Sequence, residues 1–113
     1  MERCVFCMIA RGEVESKKVL ETDELVAFHD LNPQAPLHIL IMPKKHMASL
    51  DEAEEEDMNL LGKLLLAVKE LAKKFHLTDG YRVVINTGSA GGQAIAHLHL
   101  HLLAGRHMSW PPG

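Results

Sequence analysis

Positive charge is not in excess in this chain of 113 residues. Twelve Lys and Arg stand against fifteen Asp and Glu, a net charge of -3. A protein whose main ligand is duplex DNA or RNA needs a basic footprint, so that class is excluded. A small nucleotide held by backbone amides and a few side chains stays open, because it needs no global positive field.

Long apolar runs are missing at the start of the chain. The stretch "MERCVFCMIARGE" carries charge at both ends and reads neither as a secretion signal nor as a membrane span. That points to the cytoplasm and to no membrane partner. Cysteine is reduced to two residues, which in that compartment are thiols or metal ligands sooner than a disulfide. Aromatic residues are few, with one Trp, one Tyr and three Phe, yet there are eight His. The histidines are what the composition leaves to be explained.

What is present fits one soluble domain with a real core: 47% of residues are apolar and 24% charged, with no internal repeat and no low-complexity linker. Residues 19–29, "VLETDELVAFH", read as two short strands around a turn at Thr22-Asp23. "LHILIMP", 37–43, is a β-rich apolar run with prolines only at its ends, a central strand. Residues 49–76 read as one long helix, with Ser49 and Glu52 as a capping box and the acidic run "DEAEEED" on the positive end of the dipole. Its core stripe is expected at Met58, Leu61, Leu65, Val68, Ala72 and Phe75, and Asp79-Gly80 turns the chain. "YRVVINT", 81–87, and "HLHLHLL", 97–103, are strands, joined by the glycine-rich "GSAGGQAIA". The expected fold is α+β: an antiparallel sheet of about five strands with one major helix packed on it. His76 and His107 are expected in solvent.

Side chains alternate faces along a strand, so His97, His99 and His101 share one face while Leu98, Leu100 and Leu102 enter the core. Neighbouring imidazoles on that face are expected roughly 6.5–7 Å apart, too far for ring contact yet close enough to surround a phosphate. Three chemistries use such a row: nucleophilic attack on phosphorus, general acid–base work near neutral pH, and zinc ligation. The preceding loop has Gly88, Gly91 and Gly92, which allow positive φ and close approach to an anion. No Lys-Ser/Thr follows, so it is not a Walker loop. Separately, Cys4 and Cys7 form a C-x-x-C pair that suits a redox couple, a disulfide or half of a zinc site.

The run "HLHLHLL" resembles the His-x-His-x-His-x-x signature of the histidine triad (HIT) superfamily. "AFHDLNPQAPLHILIMPKKH", "GYRVVINTGSAGGQ" and the terminal "WPPG" resemble its Hint branch, the purine nucleoside phosphoramidases, so that nearly the whole chain, 1–113, resembles one HIT domain. The resemblance implies His99 as the nucleophile that takes up a nucleoside monophosphate. It implies that His101 binds the same phosphate, with Asn86, Gly92 and Gln93 around it, and that His38 orients the triad. By the same resemblance Asp30 accepts from the ribose hydroxyls with Leu31 beside the sugar, and Phe6, Ile9, Val14, Phe28 and His29 wall a purine pocket. Zinc-bearing members of the superfamily place ligands at positions matching His46 and His97, which with Cys4 and Cys7 complete a structural zinc site. The family also implies a homodimer with a continuous sheet across two subunits, and places the segment containing Trp110 near the partner's active site.

One departure stands out. The branch usually has a serine three residues before the first triad histidine, where its hydroxyl assists the leaving group, and this chain has Ala94. Rate and leaving-group preference are therefore the exposed points. The implied activity is hydrolysis of purine nucleoside 5′-phosphoramidates through a covalent nucleotidyl-histidine. The rival readings are cleavage of dinucleoside polyphosphates and nucleotide binding with little turnover.

Overall fold

In a computed structural model, residues 4–113 are described. The elements run α1 Val5–Ala10, β1 Lys18–Glu21, β2 Leu25–His29, β3 Leu37–Pro43, α2 Met58–Lys74, β4 Arg82–Val84 and β5 Leu100–Ala104. The strands form one antiparallel sheet in the order β1-β2-β3-β5-β4. This is the α+β architecture expected, with a short extra helix, α1, that was not.

Each face of the sheet has its own apolar layer. Leu25, Ala27, Ile39, Ile41, Leu100 and Leu102 pack under α2. Val26, Phe28, Leu40 and Met42 meet Phe6 and Ile9 of α1 on the opposite face. The central strands β2 and β3 are thus covered on both sides, which is why they read as nearly unbroken apolar runs.

The long helix starts later than its sequence suggests. Ser49 and Glu52 do cap something: Ser49 Oγ accepts from Asp51 N–H, and Glu52 Oε1 from Ala48 N–H. That cap closes only a single 3₁₀ turn, Leu50–Glu52, because Ala53 returns to an extended conformation. A second capping box, Glu54 with Asp57, opens another short turn that runs into α2 at Met58. Asp57 is buried there and holds Lys45 Nζ at 2.7 Å, so the acidic run is an internal anchor as well as a cap. The helix ends in a Schellman motif, with His76 at φ 55 and Leu77 N–H returning to Ala72 O. His76 and His107 are both exposed.

The helical stripe is also displaced. The buried residues are Leu64, Ala67, Val68 and Leu71, whereas Met58 and Leu65 lie open to solvent. Leu64 to Val68 are five consecutive apolar residues, so two helical phases fit the pattern equally well, and packing on the sheet selects one. Of the expected strand 81–87 only Arg82–Val84 pairs, and of 97–103 the ladder begins at Leu100.

Candidate active site and metal cluster

Register builds the site. His101 on β5 lies opposite Leu40 of β3 and Val84 of β4, and Leu40 lies opposite Phe28 of β2. These side chains share the face covered by α1, and His38 stands two residues from Leu40 on that same face. Over them opens a cavity of about 340 Å³, within the roughly 300–1,000 Å³ typical of ligand pockets. Its apolar lining includes Val5, Phe6, Ile9, Val14, Phe28 and Leu40, and its polar lining includes Asp30, His99 and His101. Leu31, with 92% of its surface exposed, sits at the rim.

The triad rings are closer than strand spacing allows. His99 and His101 have centroids 4.9 Å apart with their planes at 62°, against the 6.5–7 Å expected from backbone rise, and His99 stands just ahead of β5. His97 turns elsewhere, its ring 5.0 Å from that of His46. Phe6 sets its edge or face against both, 5.8 Å from His97 and 5.0 Å from His99. Leu98 nevertheless joins Leu100 and Leu102 in the core, so the alternation in burial extends beyond the strand itself.

Hydrogen-bond partners fix the tautomers. A carbonyl oxygen only accepts, so the 2.7 Å contact to His97 O places the hydrogen of His99 on Nδ1. In the neutral ring, Nε2 then keeps its lone pair. Gln34 N–H donates to His38 Nδ1 at 3.0 Å, which leaves the His38 hydrogen on Nε2. From there it reaches His101 Nδ1 at 2.9 Å, and His101 in turn carries its hydrogen on Nε2. Burial, then the neighbouring His99 and His38, push the His101 pKa down to about 4. Burial also lowers that of His38, against the pull of Asp30, whose Oδ2 lies 3.4 Å from His38 Nε2. The pocket therefore combines an imidazole lone pair with a neutral imidazole N–H donor.

Asp30, His38 and His101 crowd closely enough to suggest a cation. The tautomers argue otherwise: a His38 Nε2 lone pair free for metal would put a hydrogen on Nδ1, facing the Gln34 N–H. The trio is a hydrogen-bond relay.

Cys4, Cys7, His46 and His97 behave differently. Their ligand atoms lie within 4.8 Å of one another. Cys4 Sγ to His97 Nδ1 is 3.4 Å, Cys7 Sγ to His46 Nδ1 is 3.3 Å, and Cys7 Sγ to His97 Nδ1 is 3.6 Å. Bonds of about 2.3 Å to sulfur and about 2.05 Å to nitrogen at tetrahedral angles give S···N edges near 3.5 Å. His97 donates from Nε2 to Pro43 O at 2.8 Å, so its Nδ1 lone pair faces the thiols, with the carbonyl fixing ring orientation from behind. Burial and the adjacent Cys4 raise the Cys7 pKa; a divalent cation is what would make thiolates favourable here. The donor set fits zinc.

The loop before the triad is braced from within. Gln93 Oε1 accepts from Gly88 N–H at 3.0 Å, and its Nε2 donates to Ala48 O and Ile95 O. Asn86 Nδ2 reaches Gly92 O at 3.4 Å. A Cβ on Gly91 would stand 2.3 Å from Thr87 O, and Gly92 has φ 87, so the turn requires glycine at both positions. Asn86, Gly92 and Gln93, expected around the phosphate, are absent from the cavity wall, whereas Ala94 and Ile95 are on it. His29 contributes to the wall, though its ring leans on Phe75 at 6.1 Å. Val5, Glu15, Ser16, Leu40 and Ile95 line the cavity without having been singled out. Leu40 was within reach, since it shares strand parity with His38.

The HIT domain family matches residues 11–108, and an uncharacterized HIT-like protein of Synechococcus elongatus is 54% identical over 112 residues, 99% of this chain and 98% of that one. This chain belongs to the HIT family. A 14 kDa zinc-binding protein of Zea mays is 50% identical over 111 residues, 96% of this chain and 87% of that protein. The crystal structure of a HIT family hydrolase from Legionella pneumophila Philadelphia 1 has a TM-score of 0.96 at 48% identity, covering 98% of this chain and all of that one. The five-stranded sheet with one main helix is thus the HIT fold. The HIT match begins at residue 11, so Cys4 and Cys7 lie ahead of it while His46 and His97 fall inside. No helix among the described residues is long and apolar enough to cross a membrane.

Proposed function

We propose that this HIT protein is a Hint-type hydrolase of purine nucleoside 5′-phosphoramidates, working through a nucleotidyl-His99 intermediate. The observation that carries the reading is the pairing of two opposite tautomers, a lone pair on His99 Nε2 beside a neutral His101 N–H donor, on the wall of an apolar cavity. The purine occupies the layer of Phe6, Ile9, Val14 and Phe28, the ribose meets Asp30 and Leu31, and the phosphate reaches the histidines. His99 Nε2 attacks phosphorus as the P–N bond breaks, and the amine leaves with a proton drawn from solvent water. His101 N–H stabilises charge on a phosphoryl oxygen, together with backbone near Ala94. Water then cleaves the phosphohistidine and releases the nucleoside monophosphate. His38 positions His101 through the relay from Gln34 N–H.

In the same reading Cys4, Cys7, His46 and His97 hold a structural zinc ion, which supplies cross-linking of α1 to the start of the histidine segment. Support comes from the tetrahedral spacing and from the zinc-binding name of the maize relative. The working unit is a homodimer. Met58, Leu65 and Ile85 are exposed, and a groove lined by Leu50, Leu61, Leu65 and Ile85 runs beside β4, the last strand of the sheet. The location is the cytoplasm, where the C-x-x-C thiols stay reduced.

The deciding assay compares adenosine 5′-phosphoramidate with diadenosine tetraphosphate. Faster AMP release from the phosphoramidate is expected. Preference for the dinucleotide, or tight AMP binding with no product from any amide, would replace this reading with one of its rivals.

A further inference from the structure

Ser16 presents an unmet hydrogen-bonding group beside the cavity. Among the described residues, its Oγ is the one buried side-chain polar atom without a hydrogen-bond partner, and Ser16 lines the cavity wall. Such a hydroxyl costs stability unless something supplies a partner.

Its position follows from pairing. Lys18 lies opposite Phe28, and His29 N–H donates to Lys17 O at 3.0 Å. Continuing the register two residues puts Ser16 across from Asp30, on the face shared by Phe28 and Asp30. Cross-strand neighbours have Cβ atoms roughly 5 Å apart. Ser16 and Asp30 both line the cavity, and the continued register makes them neighbours on its wall. Asp30 is already engaged, with Oδ1 accepting from Asn32 N–H at 2.8 Å and Oδ2 near His38. Ser16 has nothing to lose. Its hydroxyl makes no bond that a ligand entering the cavity would have to displace.

We propose that Ser16 is a specificity-determining contact, its hydroxyl adding a second partner to one of the two ribose hydroxyls that Asp30 accepts from. This rests on the nucleotide reading above and adds to it a preference for ribonucleotides over one class of deoxynucleotide. The sugar, rather than the base, is the match because the base faces the apolar residues Phe6, Ile9, Phe28 and Leu40, whereas Ser16 neighbours the carboxylate that a vicinal diol seeks. A serine hydroxyl both donates and accepts, so it can serve a sugar hydroxyl whichever way that hydroxyl points.

The test is calorimetric titration of AMP, 2′-deoxy-AMP and 3′-deoxy-AMP into the wild type and Ser16→Ala, with thermal melts of both proteins. Ser16→Ala is expected to weaken AMP binding about 3- to 10-fold. That penalty should vanish for one deoxynucleotide and persist for the other. Meanwhile Tm should stay level or rise, because an unsatisfied buried hydroxyl has been removed. Unchanged AMP affinity, an equal penalty on all three nucleotides, or a drop in Tm would each overturn the assignment. A wild type that binds AMP normally while Ser16→Ala matches it overturns Ser16 alone. A wild type that does not bind AMP overturns the nucleotide reading and this contact together.

Discussion

The carbonyl oxygen of His97 holds the ring of His99 by accepting from Nδ1 at 2.7 Å, and the ring of the same His97 points its own Nδ1 at Cys4 and Cys7. One residue thus faces the metal cluster with its side chain and the reactive imidazole with its backbone. Phe6, one residue before Cys7, packs its ring against both imidazoles. The proposed metal and nucleotide sites share a wall.

Metal removal should therefore be felt at the nucleotide site. Purified protein is expected to contain one zinc ion per chain by elemental analysis. Chelation, or Cys7→Ser, should lower Tm, weaken AMP binding and reduce turnover together. Protein that lacks zinc yet melts and binds AMP as the loaded form does would refute the cluster's role.

Acid should destabilise the fold as pH falls below neutral. The His101 pKa is about 4 when folded, against about 6.5 unfolded, so between those values the unfolded chain binds a proton that the folded chain does not. The associated stability is fully present above pH 6.5 and is lost as pH falls from there toward 4. The lowered pKa of His38 acts in the same direction. Melting curves between pH 7.5 and 5 should show Tm falling, with a shallower fall in His101→Gln at the same zinc occupancy. A wild-type Tm that is flat or rises toward pH 5 would contradict the buried neutral relay.

The second apolar face of α2 has a consequence for assembly. Leu65→Glu or Ile85→Glu should convert a dimer into a monomer in sedimentation velocity, since each puts a charge into the groove beside β4. Wild type that sediments as a monomer, or variants that remain dimeric, would remove that surface as the interface.

Much of the architecture was legible because its signals are local and strong. The β3 run bounded by prolines, the turn at Thr22-Asp23 and the alternating Leu98, Leu100 and Leu102 all appear where their patterns put them. The phase of α2 was not legible, since the stripe through Met58 and Leu65 is as regular as the one through Leu64 and Leu71. The sheet buries the second and leaves Met58 and Leu65 of the first exposed, while Leu61, Val68 and Phe75 still pack in or against the core. Leu64→Ala should accordingly cost about 2–5 kcal/mol in chemical denaturation, and Leu66→Ala, on the exposed side, less than about 1 kcal/mol; comparable losses would place the core wrongly.

Which residues the fold gathers was partly legible in the sequence, and their geometry was not. Spacing along a strand cannot show that His99 sits ahead of the ladder, that its ring touches His101, or which nitrogen holds the hydrogen. Those depend on a carbonyl at His97 and an amide at Gln34, backbone groups that no motif records. Nor can the sequence show that the Gln93 amide group bonds to Gly88, Ala48 and Ile95 and braces the glycine loop. Ser16 carries no motif at all; it stands out only as an unpartnered hydroxyl on the cavity wall.

The most direct measurement is rapid acid or base quench of the protein during turnover of an adenosine 5′-phosphoramidate, followed by peptide mapping of the trapped adduct. An AMP group on His99, absent from His99→Ala, is the predicted result. An adduct on a different residue, or AMP release by His99→Ala at the wild-type rate, would contradict the account.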